Sequence, residues 1–541
     1  MGNLLSLTDA SWTLFALYAV AFIVATVALH QEFLRLRARI PGLPGPPALP
    51  FIGNLHQVKG KPAYEQYRQW SKIYGPVFQV QFGILPVVIV NGNEEARDLF
   101  IHRHLSVISR PVLYTFQCPD SKESAFHGLS IGTSPWDASC KQRRRAAATA
   151  LNLNAVRSYA SILEFETKEL IRELLEESSY AQKPVFLKPL LYHFSLNMSL
   201  TLNYGTRFLS LENPLFREIF EVETQISKFR STSENLADFF PILRLPNYFG
   251  GGSSTRAKDI GSRRKAYTFR LLDELEERIK QGTDRPCIQG NVLKDQDVKL
   301  SKTELLGVST SIIAGADSNL PTLGWTIAYL IQNPEWQTRL YSALSEYRTS
   351  KGHNLREGPG YADAEENTIP IFDAFVREIL RFYPPLRMGI PRAAYKNTDY
   401  LGATIPADTE VLLNIWALNR DPAIFDDANS FIPERWLDED NKANPRRIVY
   451  SFGLGARNCP ASFITYRILY LTLVRLVWSF TLHAEPGTDG PNIDAIKGST
   501  SYASLGQAID DYSVVLKPRD IEALVEWLGE KPLSFEGLES E

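Results

Sequence analysis

The sequence predicts a mainly α-helical body with small β-sheets, carried behind one N-terminal transmembrane helix. Three observations predict it. The run Trp12–Leu29, WTLFALYAVAFIVATVAL, contains no charged residue. Long stretches at 158–175, 265–279, 305–330, 371–382 and 462–482 repeat apolar residues every three or four positions, the helical period. The β-like runs are short, at 77–90 and 409–418.

The uncharged run approaches the roughly 20 residues a spanning helix needs. Only Asp9 is charged before it, whereas Arg35, Arg37 and Arg39 follow. Positive charge on that side retains it in the cytosol and leaves residues 1–11 in the lumen. A cleaved signal would carry its positive charge ahead of the run and small residues after it, and this chain has neither. The start MGNLLS matches an acylation pattern at Gly2, but a luminal N-terminus conflicts with that use. The anchor is therefore placed at 12–31 and a basic, proline-rich neck at 32–54. Prolines 41, 44, 46, 47 and 50 make that neck stiff and non-helical. Residues 55–541 form one large body without an evident boundary or internal repeat. The acceptor triplet Asn197-Met198-Ser199 falls on its cytosolic side, where it goes unglycosylated. Segments 250–259 and 282–291 read as surface loops on either side of helix 265–279.

Composition excludes several functions. With Lys+Arg 58 against Asp+Glu 61, nothing suggests a nucleic-acid surface. Cys118, Cys140, Cys287 and Cys459 are far apart and form no CxxC pair, so neither a disulfide framework nor a zinc site is indicated. That usage suits a reducing compartment and leaves one cysteine available for chemistry.

SFGLGARNCPASF, Ser451–Phe463, is the most informative segment. A lone cysteine ordinarily reads as a small core residue. Here Gly453 and Gly455 permit tight turns against a flat ligand, and an apolar helix starts just after Cys459. The helix N-terminus stabilises a thiolate, and a thiolate can ligate haem iron. Arg457 can meet a propionate as a charge-assisted pair.

Phe452, Gly455, Arg457 and Cys459 match the F-x-x-G-x-R-x-C segment of the cytochrome P-450 superfamily, with Ala461 at a position where that family commonly has Gly. The chain resembles that family throughout. Glu378 and Arg381 of EILR resemble its E-x-x-R, and FIPERW resembles the segment whose arginine, here Arg435, completes a buried network. Pro391-Arg392 resembles a segment whose arginine contacts a haem propionate. Ala314, Gly315 and Asp317 resemble A-G-x-D/E on the helix that crosses the haem. Ser318 and Asn319 then stand where the family has T-T or T-S, and Pro321 is expected to distort the helix just beyond them. Trp136 resembles the tryptophan of W-x-x-x-R, but Cys140 stands at the place of the arginine. The following KQRRR is either the basic partner or a docking patch for an electron donor.

The resemblance implies haem b held by Cys459, with Arg457, Phe452, Gly455, Arg392 and Trp136 around it. It implies proton delivery by Asp317 and Ser318 beside Gly315. It also implies electrons drawn from NADPH through NADPH–cytochrome P-450 reductase, with cytochrome b5 as an accessory donor, at the endoplasmic reticulum membrane. One oxygen atom of O2 would enter the substrate. Segments 134–152, 282–295 and 380–392 look like fungal members that hydroxylate phenylacetate, m-cresol or m-hydroxybenzyl alcohol. The expected substrate is thus a small aromatic, first a cresol-like phenol of secondary metabolism and next a phenylacetate. Its pocket is expected at the 106–128 loop, Ile313–Asp317, Leu386–Ile390 and Tyr502–Leu505. The competing classes are a haem-thiolate isomerase or dehydratase needing no reductase, and a non-enzymatic haem-binding membrane protein.

Overall fold

The computed structural model describes residues 2–112, 130–229, 236–244, 253–364, 368–442, 444, 448–499, 501–502 and 506–529. Much of the 106–128 loop, and 503–505, therefore lie outside the described residues. Helix α1, Gly2–Ala38, extends the apolar run. Its segment Leu14–Ala38 is long and apolar enough to cross a membrane and is not buried in the protein. Residues 32–38, expected as neck, continue this helix. Two glutamines of β1, Val77–Phe82, tie the entry segment to the body. Gln81 exchanges hydrogen bonds with Arg35, through its side-chain amide to the Arg35 carbonyl at 2.8 Å and from Arg35 Nη1 at 3.0 Å. Gln79 Nε2 donates to the carbonyls of Ile40 and Leu43. These bonds satisfy backbone groups that the prolines leave without regular partners.

The sheet nearest the neck has the order β1, β2 (Leu85–Val90), β4 (Glu410–Leu413), β3 (Arg392–Ala393). β2 pairs antiparallel with β1 and parallel with β4, matching Val87 to Glu410 and Val90 to Leu413. The 409–418 run is only half strand: after Asn414 the chain turns into a short helix, Ile415–Leu418, capped by the Asn414 side chain. A second sheet joins β5 (Phe480–Ala484) to β6 (Ser513–Pro518).

The large core is helical. Helix α2 (Ala63–Tyr74) packs on β1 through Tyr67 and Phe78, and around the large core pack α3 (Ala138–Ala150), α4 (Ala160–Glu177), α5 (Leu187–Tyr204), α6 (Pro214–Phe229), α7 (Ser253–Gln281), α8 (Lys302–Ile313), α9 (Ala316–Gln332), α10 (Pro334–Ser350), α11 (Pro370–Phe382) and α12 (Ser462–Ser479). Trp325 stacks on Tyr383 at 4.3 Å, joining α9 to the end of α11. Two expected loops are partly helical. Positions 253–259 are the first turns of α7, and Ile288–Lys294 is a short helix with Ile288 buried. Apolar burial there outweighs the weak helix propensity of Gly and Ser. Asn197 is fully buried in α5 and exchanges hydrogen bonds with Phe208, so the acceptor triplet is closed to glycosylation for a structural reason as well.

Glu410 is nearly buried on β4. Burial, and then the Asp238 carboxylate, push its pKa up to about 7. The native state thus holds a proton that the unfolded chain releases in the usual carboxylate range. Stability falls as pH rises from that range through about 7. Glu410→Gln is expected to stabilise the protein by about 2 kcal/mol more near about pH 8 than near about pH 5. Chemical denaturation at both pH values checks this; an equal effect at both would refute it.

Candidate active site

Two 3-10 turns, Tyr450–Phe452 and Gly455–Arg457, and the start of α12 shape the cysteine loop. The Cys459 N–H donates to the Phe452 carbonyl at 2.8 Å and fixes its register. Gly455 has φ 64°, and a Cβ there would lie 1.7 Å from the Phe100 carbonyl oxygen. Only glycine fits both conditions. Burial pushes the Cys459 thiol up, opposed by the Ala461 N–H and the Arg144 charge. A thiolate here thus needs further positive charge, which a metal bound to the sulfur supplies.

Cys459 opens into a cavity of about 260 Å³. The same cavity is lined by Ala314 and Gly315, where the long helix predicted over 305–330 is interrupted. α8 ends at Ile313 and α9 begins at Ala316, with the Gly315 N–H bonded back to Ile312. The distortion was expected beyond Asn319 and instead precedes it. Pro321 lies inside α9 without interrupting it, and the hydrogen bond it forgoes is the one to the Asp317 carbonyl, so the break belongs to Gly315, whose weak helix propensity falls where α9 starts. Ser318 Oγ donates to the Gly315 carbonyl at 2.9 Å, within this break. The Asp317 side chain lies outside the described residues. Of the expected pocket regions, Ala314, Gly315, Leu386, Gly389 and Ile390 line the cavity, whereas Ile313 packs in the core and Tyr502 is not in the wall. Met198, Ser199 and Leu202 of α5 also line it. Spacing along the chain carries no trace of that approach.

Arg110, Arg144, Arg392 and Arg457 converge on the cavity beside Cys459. Arg110 donates to the carbonyls of Ile390 and Pro391, Arg392 to Leu454, and Arg457 to Ser134 at 2.9 Å. Yet Arg110 Nε, Arg392 Nη1 and Arg457 Nε have no hydrogen-bond partner among the described residues. Burial, then repulsion from Arg457 and Arg144, lowers Arg392 to about 9. Burial and repulsion from Arg457, Arg392 and Arg144 also hold Arg110 well below the usual arginine range. Clustered, partly unpaired guanidiniums in a dry cavity call for a multiply anionic ligand. With a sulfur ligand beside them and glycines admitting a flat ring, these residues fit haem, whose two propionates would neutralise the cluster.

Arg110 belongs to the described part of the 106–128 loop, an expected pocket region, but sequence reasoning gave it no part in the charged cluster and left the W-x-x-x-R partner open. Arg144, four residues after Cys140, fills that place: its Nη2 donates to the carbonyls of Ala456 and Asn458, at 3.2 and 3.1 Å, in the cysteine loop. Trp136 stands behind Arg457, with the guanidinium 5.6 Å from its ring centroid, and does not line the cavity. Arg143 is buried, which leaves Lys141 and Arg145 as the exposed cations of KQRRR.

Beneath the loop, Glu378 and Arg381 are fully buried. Glu378 accepts from Arg381 at 2.7 and 2.8 Å, from Trp436 Nε1 at 2.8 Å and from the Ile432 N–H at 2.7 Å. Arg435 joins at 3.3 Å. Arg381 donates further to the carbonyls of Asn419, Ala428 and Ser430. The network joins α11 to the segment before the cysteine loop.

The chain matches the family model for cytochrome P450 over residues 43–506. It is 40% identical to the 3-hydroxyphenylacetate 6-hydroxylase of Emericella nidulans, over 95% of this chain and 96% of that one. It is 36% identical to the phenylacetate 2-hydroxylase of the same organism, over 94% and 97%. A solved zebra fish cytochrome P450 structure with abiraterone shares its fold, with a TM-score of 0.66 at 20% identity, covering 85% of this chain and 100% of that one. The chain belongs to the cytochrome P450 family, whose cofactor is haem. It is a P450 monooxygenase related to aromatic hydroxylases.

Proposed function

We propose that this protein is a membrane-anchored monooxygenase that hydroxylates a small phenolic substrate, with Cys459 as the axial ligand of its haem. The observation that carries this reading is that Cys459, the converging arginines and the Gly315 break line one and the same cavity. Bound haem supplies the activation of dioxygen. The protein's own part is to hold the sulfur at the start of α12, to neutralise the propionates with Arg110, Arg144, Arg392 and Arg457, and to keep the substrate face dry. Asp317 and Ser318 carry protons toward the Gly315 break. Electrons come from NADPH through a reductase at the endoplasmic reticulum, with α1 holding the body on the cytosolic side.

The names of the two relatives favour an aromatic substrate. Among the described lining residues, the only cations are the four clustered arginines, and the side chains contributed by α5, α8 and α9 are apolar, hydroxyl or carboxamide groups. That distribution favours a neutral phenol over a phenylacetate carboxylate, which would need a cation of its own. The second reading, a phenylacetate-type ring hydroxylase, is favoured by the higher of the two identities.

Detergent-solubilised protein, supplied with reductase and NADPH, distinguishes these readings on a panel of m-cresol, m-hydroxybenzyl alcohol, phenylacetate and 3-hydroxyphenylacetate. The expected result is NADPH-dependent hydroxylation with the neutral phenols turned over fastest. Faster turnover of the acids would favour the second reading. Product formed equally well without NADPH would identify an isomerase or dehydratase.

A further inference from the structure

The polar side chains of α8 and α9 that line the cavity are nearly all engaged. Ser311 Oγ donates to the Gly307 carbonyl at 2.9 Å and pairs with Ser130 Oγ at 2.8 Å. Ser318 Oγ donates to Gly315, and Thr322 Oγ1 donates to the Ser318 carbonyl at 2.9 Å. Ser318 thereby serves the carbonyl at the helix break, and Ser311 and Thr322 are held by carbonyls of their own helices. Asn319 differs. Its residue is 5% exposed and lines the cavity, while its carboxamide oxygen has no hydrogen-bond partner among the described residues. Its position four residues after Gly315 places it on the same helix face, one turn farther from the break. A leucine or valine would fill such a place without leaving an amide in a dry wall. A buried amide is costly unless something bonds to it.

We propose that the Asn319 carboxamide is the hydrogen-bond anchor for the substrate's aryl hydroxyl. The phenol O–H donates to Oδ1, and the amide N–H donates to the phenol oxygen, so one side chain satisfies both polar functions of the group. A hydroxyl-bearing ring then binds in one orientation, with the position to be oxidised presented toward the Cys459 side. A ring lacking the hydroxyl leaves the amide unsatisfied and binds more weakly. This assignment rests on the reading of the cavity as an aromatic substrate site, and it makes Asn319 a specificity-determining residue.

The test measures equilibrium binding of m-cresol and of its hydroxyl-free counterpart toluene to the full-length holoprotein, by calorimetry, for wild type, Asn319→Leu and Asn319→Gln. Wild type is expected to favour m-cresol by about tenfold to a hundredfold. In Asn319→Leu that ratio collapses toward unity, chiefly through weaker m-cresol binding, while toluene binds at least as well as before. Asn319→Gln retains part of the preference and shows that the amide, rather than the loss of a side chain, sets it. The Asn319 assignment is overturned if wild type binds both ligands equally, or if Asn319→Leu keeps the wild-type ratio. In both cases aromatic binding itself still stands. If neither ring binds wild-type protein, the aromatic reading of the site fails first.

Discussion

Replacing Cys459 with alanine is expected to abolish NADPH-dependent turnover and the red-shifted Soret band of the reduced, carbon-monoxide-bound protein. Among the cysteines of the described residues, no other can take its place. Cys140 and Cys287 are buried, and Cys140 lies behind the cavity wall against Arg457, at 3.5 Å from its Nη1. Cys459 alone sits where a tight loop meets the start of α12, with its sulfur on the cavity. Because the arginine cluster remains in place, Cys459→Ala still offers propionate contacts, and some haem binding is expected to persist without the thiolate signature. A spectrum unchanged by the substitution would remove Cys459 from the ligand position.

The second large effect is on stability. Glu378→Ala is expected to cost about 3–5 kcal/mol, because it strands two buried arginines. Arg381 would lose its carboxylate partner while still being held among three backbone carbonyls, and Arg435 and the Trp436 indole would lose theirs. The penalty comes mainly from uncompensated buried charge rather than from the bonds counted singly. Glu378→Gln keeps an acceptor oxygen and should be less damaging. Chemical denaturation of the three proteins checks the order wild type, Glu378→Gln, Glu378→Ala. Equal stability of wild type and Glu378→Ala would show that the network is not structural.

The cysteine loop and the glutamate–arginine network were legible in the sequence because local segments carry them. In the loop, two glycines, an arginine and the cysteine fall within a few residues. The 106–128 loop was expected at the pocket, but the part Arg110 takes in the cationic cluster was not legible, since nothing near Ser109-Arg110-Pro111 marks it; only the fold brings it to the carbonyls before Arg392. Arg144 was obscured by its neighbours, because three arginines in a row read as a surface patch until packing buries one and turns another into the cavity. The helix across the cavity was legible as an apolar periodic stretch. Its break at Ala314-Gly315 was misplaced because Pro321 drew the expectation, whereas α9 carries that proline without interruption and starts after Gly315. The α5 contribution to the pocket was silent, since Met198 and Leu202 follow ordinary helical core spacing.

The most direct test of the central claim is the origin of the oxygen in the product. The purified protein, with reductase, NADPH and m-cresol, is incubated under heavy-isotope dioxygen in ordinary water, and the product is analysed by mass spectrometry. The account predicts one heavy oxygen atom per hydroxylation, incorporated only when NADPH is present. Product carrying oxygen from water, or formed without uptake of dioxygen, would contradict it.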